Sequence, residues 1–182
     1  MALSRWILAI GLVAFSLGCA GTRVTEDYDV NADFSSYATF SWLPKPQGMT
    51  GDARIDNPLI AERVRSAIER TLMSKGYRPA TETEPDFYVG YFLSLEQKLD
   101  VYTIDRYYSA GPYRRWDAPG FETHVSQYEE GTLVIDIVDA KAGRLVWRGS
   151  GSRRISKSPT PQKTTQRVNE AVEAILKRFP PH

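Results

Sequence analysis

Two stretches, Gly131 to Ala140 (GTLVIDIVDA) and Arg144 to Arg154 (RLVWRGSGSRR), constrain the fold more than anything else in the chain. Both are rich in β-branched or aromatic residues, and only Lys141 to Gly143 separates them. A hairpin with a short loop satisfies both facts. Setting Ile137 opposite Leu145 and Ile135 opposite Trp147 keeps Leu133, Ile135, Ile137, Leu145 and Trp147 on one face. A one-residue slip would mix the faces, so the pattern selects this register. Asp136 then points to the opposite face on a diagonal from Arg148, where a cross-strand ion pair is the simplest reading.

The rest of the chain supplies partners for that hairpin. Val24 to Val30 and Thr39 to Leu43 read as two short strands, with Asn31, Asp33, Ser35 and Ser36 as turn chemistry between them, and are expected to pair or lie adjacent. Asn57 followed by Pro58 is the order of an N-cap and a first helical residue. Ile60, Val64, Ala67, Ile68, Thr71 and Leu72 then form one apolar stripe, and Gly76 stops it, which predicts a helix over Pro58 to Lys75. Asp86 to Leu99 alternates, with Phe87, Val89, Tyr91, Leu93 and Leu95 on one side, as a long half-buried strand does. Val168, Ala171, Val172, Ile175 and Phe179 predict a second helix, with Thr164 or Thr165 as cap and Pro180 as stop. Helices with a single apolar stripe need one sheet face to cover. The expected fold is a single two-layer α+β domain, a mainly antiparallel sheet with two amphipathic helices packed on one face, in the order ββαβββα.

The start of the chain reads as an address. One positive side chain, Arg5, precedes the twelve-residue apolar run Trp6 to Leu17, too short to span a bilayer by the usual count of about 20 residues. The run ends in Leu17-Gly18-Cys19, and the order charged, apolar, small, Cys resembles the bacterial lipobox. Residues 1–18 are then a lipoprotein signal peptide and Cys19 the lipid-attachment residue. An ordinary signal peptide cleaved near Ala20, or a short membrane anchor, are the alternatives. Several acyl chains on Cys19 would hold the protein stably where one would be marginal. Ala20 rather than an acidic residue after Cys19 favours the outer membrane, periplasm-facing, by analogy with lipoprotein sorting in double-membraned bacteria. Residues 19–23 form a tether of at most about 18 Å before the domain of residues 24–182 begins.

Composition narrows the function classes. A net charge of +1 with 25% charged and 42% hydrophobic residues excludes a disordered chain and a globally basic nucleic-acid binder. One cysteine makes no internal disulfide, and two histidines leave little for a transition metal, so neither metal nor cofactor is expected.

Asp27-Tyr28-Asp29, Asp33 to Tyr37 with Thr39 to Trp42, Lys75-Gly76-Tyr77, Pro85-Asp86-Phe87, Tyr128 to Ala140, Leu145 to Gly149 and Phe179-Pro180-Pro181 resemble the bacterial envelope lipoproteins grouped as DUF4136. The resemblance runs from about Val24 to the end of the chain. It implies an envelope lipoprotein and no particular reaction.

Asp100 to Tyr128 fits no regular element and holds seven of the chain's aromatics among glycines, prolines and arginines. Tyr107, Tyr108, Tyr113 and Trp116 are the candidate interaction surface, suited to stacking on a glycan, lying at lipid head groups or anchoring an envelope protein. The alternative is an excursion whose tyrosines partly cover a sheet edge. Between Asp139 and Glu170 stand eight basic residues and no acidic one, either a face for anionic head groups or a solvated edge and loop over Ser152 to Thr165. His124, Glu122, Glu129 and Glu130 could in principle supply an acid and a base, but no nucleophile elbow, zinc helix or phosphate loop accompanies them. No catalytic residue is therefore assigned. The expected function is a non-catalytic structural or partner-binding module, the alternative a binding module for a small amphiphile or glycan.

Overall fold

The computed structural model describes residues 22–44, 50–81, 84–105, 121–155 and 158–181, with backbone only over 101–105 and 121–124. Six strands and two helices follow in the order β1 (Arg23–Tyr28), β2 (Thr39–Trp42), α1 (Pro58–Ser74), β3 (Arg78–Pro79), β4 (Phe87–Asp105), β5 (Phe121–Asp139), β6 (Arg144–Ile155) and α2 (Pro161–Leu176). The sheet order is β1-β6-β5-β4-β2-β3, antiparallel except where β2 runs parallel to β3 and β4. The expected α+β class holds, with the two-residue β3 as an extra strand.

α1 starts as its sequence dictates. Asn57 accepts from Ile60 N–H at 3.1 Å, Pro58 occupies the first turn, and Gly76 adopts φ +96° just beyond the end. Its buried stripe is Val64, Ala67, Ile68 and Leu72. α2 begins earlier than Thr164 or Thr165 would allow. Thr160 is the cap, accepting from Lys163 N–H at 3.3 Å, and Pro161 is the first helical residue. With β6 continuing to Ile155, most of the expected Ser152 to Thr165 loop is strand and helix.

β1 and β2 do not pair. β1 is the edge strand beside β6, Tyr28 facing Trp147, whereas β2 lies beyond β4. The segment between them crosses the end of the sheet. Its turn residues close a short 3-10 turn, Phe34–Ser36, capped by Asp33, whose carboxylate accepts from Ser35 N–H at 3.1 Å. That turn drives Phe34 against Phe179, ring centroids 5.9 Å apart, so apolar burial at the end of the core takes the place of a hairpin.

The β5–β6 hairpin forms, with a different register. Ile137 faces Trp147, Ile135 faces Gly149, and Val138 faces Leu145, because a bulge at Val146 adds one residue to β6. Leu145 therefore turns to the outer face and is 44% exposed, while Val146 and Trp147 are buried. The indole decides it. A Cβ on Gly149 would lie 2.3 Å from Trp147 Cη2 and 2.5 Å from Ile175 Cγ2, so only glycine leaves room for ring and helix together. Asp136 sits directly opposite Arg148 and accepts from its Nε and Nη2 at 2.7 Å each, the expected ion pair in a straighter geometry.

The irregular segment is shorter than its composition suggests. β4 continues to Asp105 and β5 starts at Phe121, paired without a break from Phe87↔Asp139 to Asp105↔Phe121. β6 accompanies β5 only as far as Glu129↔Ile155. The arms beyond are a two-stranded ribbon. At about 3.4 Å per residue, eight residues carry it roughly 27 Å past the three-stranded part of the sheet.

Candidate functional site

At the end of the two layers where both helices begin, sheet and helices enclose an apolar cleft of about 440 Å³. Its size lies within the usual range for small-molecule sites, about 300–1,000 Å³. α1 contributes Ile60 and Val64, one turn apart on the stripe, and α2 contributes Thr164, Val168 and Ala171 in the same spacing. Leu93 of β4 and Leu133 of β5 face each other across the ladder and form the floor. Ile155 and Pro159 make one lip of the mouth and Ile55 the other. No aromatic side chain lines the cleft. A second, open depression on α2, bounded by Gln162, Gln166 and Glu173, is walled by polar side chains.

The charged side chains lining the cleft are Arg54, Glu129, Arg153 and Arg167. Arg54 donates from Nη1 to Glu129 Oε1 at 2.6 Å and from Nη2 to Asp52 Oδ2 at 2.6 Å, latching the loop before α1 to β5. Its hydrogen bonds to Asp52 and then to Glu129 hold the Arg54 guanidinium charged well above its ordinary range, and Arg54 in turn depresses Asp52. Across the mouth, Arg153 Nη1 donates to Glu170 Oε2 at 2.8 Å, and that contact, with Gln166 next, lowers the Glu170 carboxyl. Arg167 also lines the cleft, and among the described residues it makes no ion pair. Neither helix carries an acidic residue in its first turn, so the positive ends of both macrodipoles are uncompensated there. The arrangement suits reversible burial of an apolar chain. Among the described residues no three His, Cys, Asp or Glu side chains gather as metal ligands.

The sequence-derived candidates lie elsewhere. Cys19 and the signal peptide, and Tyr107, Tyr108, Tyr113 and Trp116, fall outside the described residues. The backbones of Glu122 and His124 are on β5 opposite Ile104 and Tyr102. Glu129 is taken up by Arg54, and Glu130 pairs with Lys98. The basic run is partly neutralised: Arg144 pairs with Asp29, Arg148 with Asp136, Arg153 with Glu170, and Arg154 with Asp100 at 2.7 Å. Strand alternation sends Arg148 and Arg154 to the outer face and Arg153 to the cleft, so the run presents no single basic surface. Arg54 and Ile155 are not singled out by sequence, while Thr164 reads as a helix cap and Arg167 only as one of the eight basic residues. The alternation that carries Arg153 and Ile155 to the same face of β6 was the available signal.

The DUF4136 family, described as a domain of unknown function, matches residues 24–181 of this chain. The chain belongs to that family. Among curated proteins none matches it. Among solved structures, a PDZ domain protein from Parabacteroides distasonis resembles this DUF4136 domain with a TM-score of 0.54 and 14% identity, over 89% of this chain and 37% of that one. The chain thus spans little more than a third of that protein, and the likeness is one of fold. A PelC dodecamer from Paraburkholderia phytofirmans aligns with a TM-score of 0.46 and 13% identity, over 85% of this chain and 95% of that one. Among the described residues no helix is long and apolar enough to cross a membrane.

Proposed function

We propose that this chain is a lipoprotein of the cell envelope, held by acyl chains on Cys19 at the outer membrane facing the periplasm, whose domain is a non-catalytic module that takes up an amphiphile in the cleft. The cleft carries the binding reading: a cavity of about 440 Å³ lined mainly by aliphatic side chains, with Arg54, Glu129, Arg153 and Arg167 as its charged lining. Burying a chain there removes about 0.8 kcal/mol of unfavourable hydration per methylene, and the charged side chains meet the polar head. The leader, with the only cysteine of the chain at its end, supports the anchoring reading.

A partner-binding reading also has a specific observation behind it. Among the described residues no helix covers the outer sheet face. Phe92 and Leu145 are each 44% exposed there, and Val134 and Val138 lie between them on β5. Tyr107, Tyr108, Tyr113 and Trp116 would extend that surface, engaging an envelope protein, glycan or lipid.

Two measurements test the proposal. Intact mass and membrane fractionation of the native protein beside a Cys19→Ser form should show acyl mass and outer-membrane retention in the first only. An unlipidated, soluble native chain would overturn the anchoring. Thermal melts of the Cys19→Ser protein with dodecyl maltoside below its micelle concentration should show a saturable rise that Thr164→Trp, which plugs the mouth, abolishes. A rise unaffected by Thr164→Trp would move binding to the outer face.

A further inference from the structure

We infer that the occupant of the cleft is a single-chain anionic amphiphile, a fatty-acid-type carboxylate whose chain lies between α1 and α2 and whose head meets Arg167 at the mouth; this rests on the cleft-binding reading. Size sets the chain. At about 30 Å³ for a methylene-sized group, the cavity of about 440 Å³ has room for about fifteen such groups, one chain of dodecanoate length and not two.

Charge sets the head. Arg54, Arg153 and Arg167 line the cleft against one acid, Glu129. Arg54 is held by Asp52 and Glu129, and Arg153 by Glu170 through Nη1, although the buried Arg153 Nε has no partner; Arg167, whose charge reaches Glu170 without direct contact, is the lining cation that makes no ion pair among the described residues. It stands in the first turns of α2, near a helix end that carries no acid. A carboxylate here would accept charge-assisted hydrogen bonds from the guanidinium. A quaternary ammonium head would meet a lining of three arginines against one carboxylate, and a sugar head would leave that excess charge uncompensated.

The path of the chain sets the supply. Thr22 packs at Gly151, its Cγ2 3.0 Å from where a Cβ on that glycine would sit, and Arg23 pairs with Ser152. Gly151 itself lines the cleft. Three residues separate Thr22 from Cys19, a reach of at most about 11 Å. An anchor on Cys19 therefore keeps the mouth close to a leaflet rich in acyl chains. The acyl groups on Cys19 itself are uncharged esters and amides, and Arg167 offers them nothing.

The test holds the chain constant and varies the head. Dodecanoate, dodecyl maltoside and dodecyltrimethylammonium, each below its micelle concentration, are titrated calorimetrically into the full-length Cys19→Ser protein. Dodecanoate is expected to bind at least about tenfold more tightly than the other two. Arg167→Gln should cut dodecanoate affinity about tenfold and leave dodecyl maltoside unchanged, with Arg167→Lys restoring part of the loss. Equal affinities for the three heads, or an Arg167→Gln variant that binds dodecanoate as well as its parent, would overturn the anionic ligand and leave the cleft reading standing. Binding of none of the three would overturn both.

Discussion

The two ends of the helix layer are built from the same elements and packed in opposite ways. Where the helices end, Trp147 and Phe179 lie 5.2 Å apart between centroids, Phe87 and Phe179 5.7 Å, and Tyr77 and Phe87 5.4 Å, with Ile68 and Leu72 of α1 and Ile175 and Leu176 of α2 filling the gaps. Where the helices begin, the facing residues are Ile60, Val64, Thr164, Val168 and Ala171 over Leu93 and Leu133, and the space between the layers is not filled. A sheet and a helix layer stand about 10 Å apart whatever covers them. Ring-sized side chains close that gap and smaller aliphatic ones leave it open. The cleft is thus a consequence of residue size on a regular scaffold, and its walls are helices and strands rather than loops.

The contrast breaks first at the filled end. Gly149→Ala puts a methyl 2.3 Å from the indole, and Phe179→Ala empties a fully buried ring site; urea unfolding should show each losing about 3–5 kcal/mol. Losses below about 1 kcal/mol would mean that this end is not the packed one.

Asp86 provides a polar clamp at the same end. Its Oδ2 accepts from Ala38 N–H at 2.9 Å, Thr39 N–H at 2.7 Å and Thr39 Oγ1 at 2.8 Å, tying β2 to the start of β4. The bond from Ala38, and then those from Thr39, depress its carboxyl. A folded pKa below the unfolded value of about 3.9 gives stability that is present above that value and lost as the pH falls toward the folded one. Acid unfolding of Asp86→Asn should therefore start from about 2 kcal/mol lower stability at pH 7 and fall less steeply below about pH 4 than the parent. An unchanged slope would remove the clamp.

At the open end the effects are smaller and partly reversed in sign. Val168→Leu extends into free space and should raise stability by about 0.5–1 kcal/mol, whereas Val172→Leu, one turn along the same helix in the filled core, should lower it by about 1–3 kcal/mol. Equal effects in thermal melts would erase the difference between the ends. Least consequential is the outer-face pair. Asp136→Ala and Arg148→Ala should each change the unfolding free energy in urea by less than about 1 kcal/mol, since both groups remain in contact with solvent.

Much of this contrast is legible in the sequence and its consequence is not. Asn57-Pro58 and Gly76 bracket α1, and the period of Val64, Ala67, Ile68 and Leu72 gives its buried face. Thr160-Pro161 repeats the cap signal for α2, but prolines and serines around it read as loop. The place of β1 follows from no local pattern, because pairing with β6 depends on how far the intervening segment can cross. The bulge at Val146 is equally hidden: it comes from the indole and the helix competing for the space above Gly149. The strand arms beyond Leu99 and before Tyr128 are masked by residues that also suit loops. A cavity is a sum of missing volumes on four elements, and no single position announces it.

The most direct test of the central claim reads both ends at once. Methyl groups of the Cys19→Ser protein, labelled with carbon-13 and followed by NMR during addition of dodecanoate, report which layer gap it enters. The account predicts saturable shifts at Ile60, Val64, Leu93, Leu133 and Val168, with Ile175, Leu176 and Ile135 unmoved. Shifts confined to Val134, Val138 and Leu145 on the outer face, or no shifts at all, would contradict it.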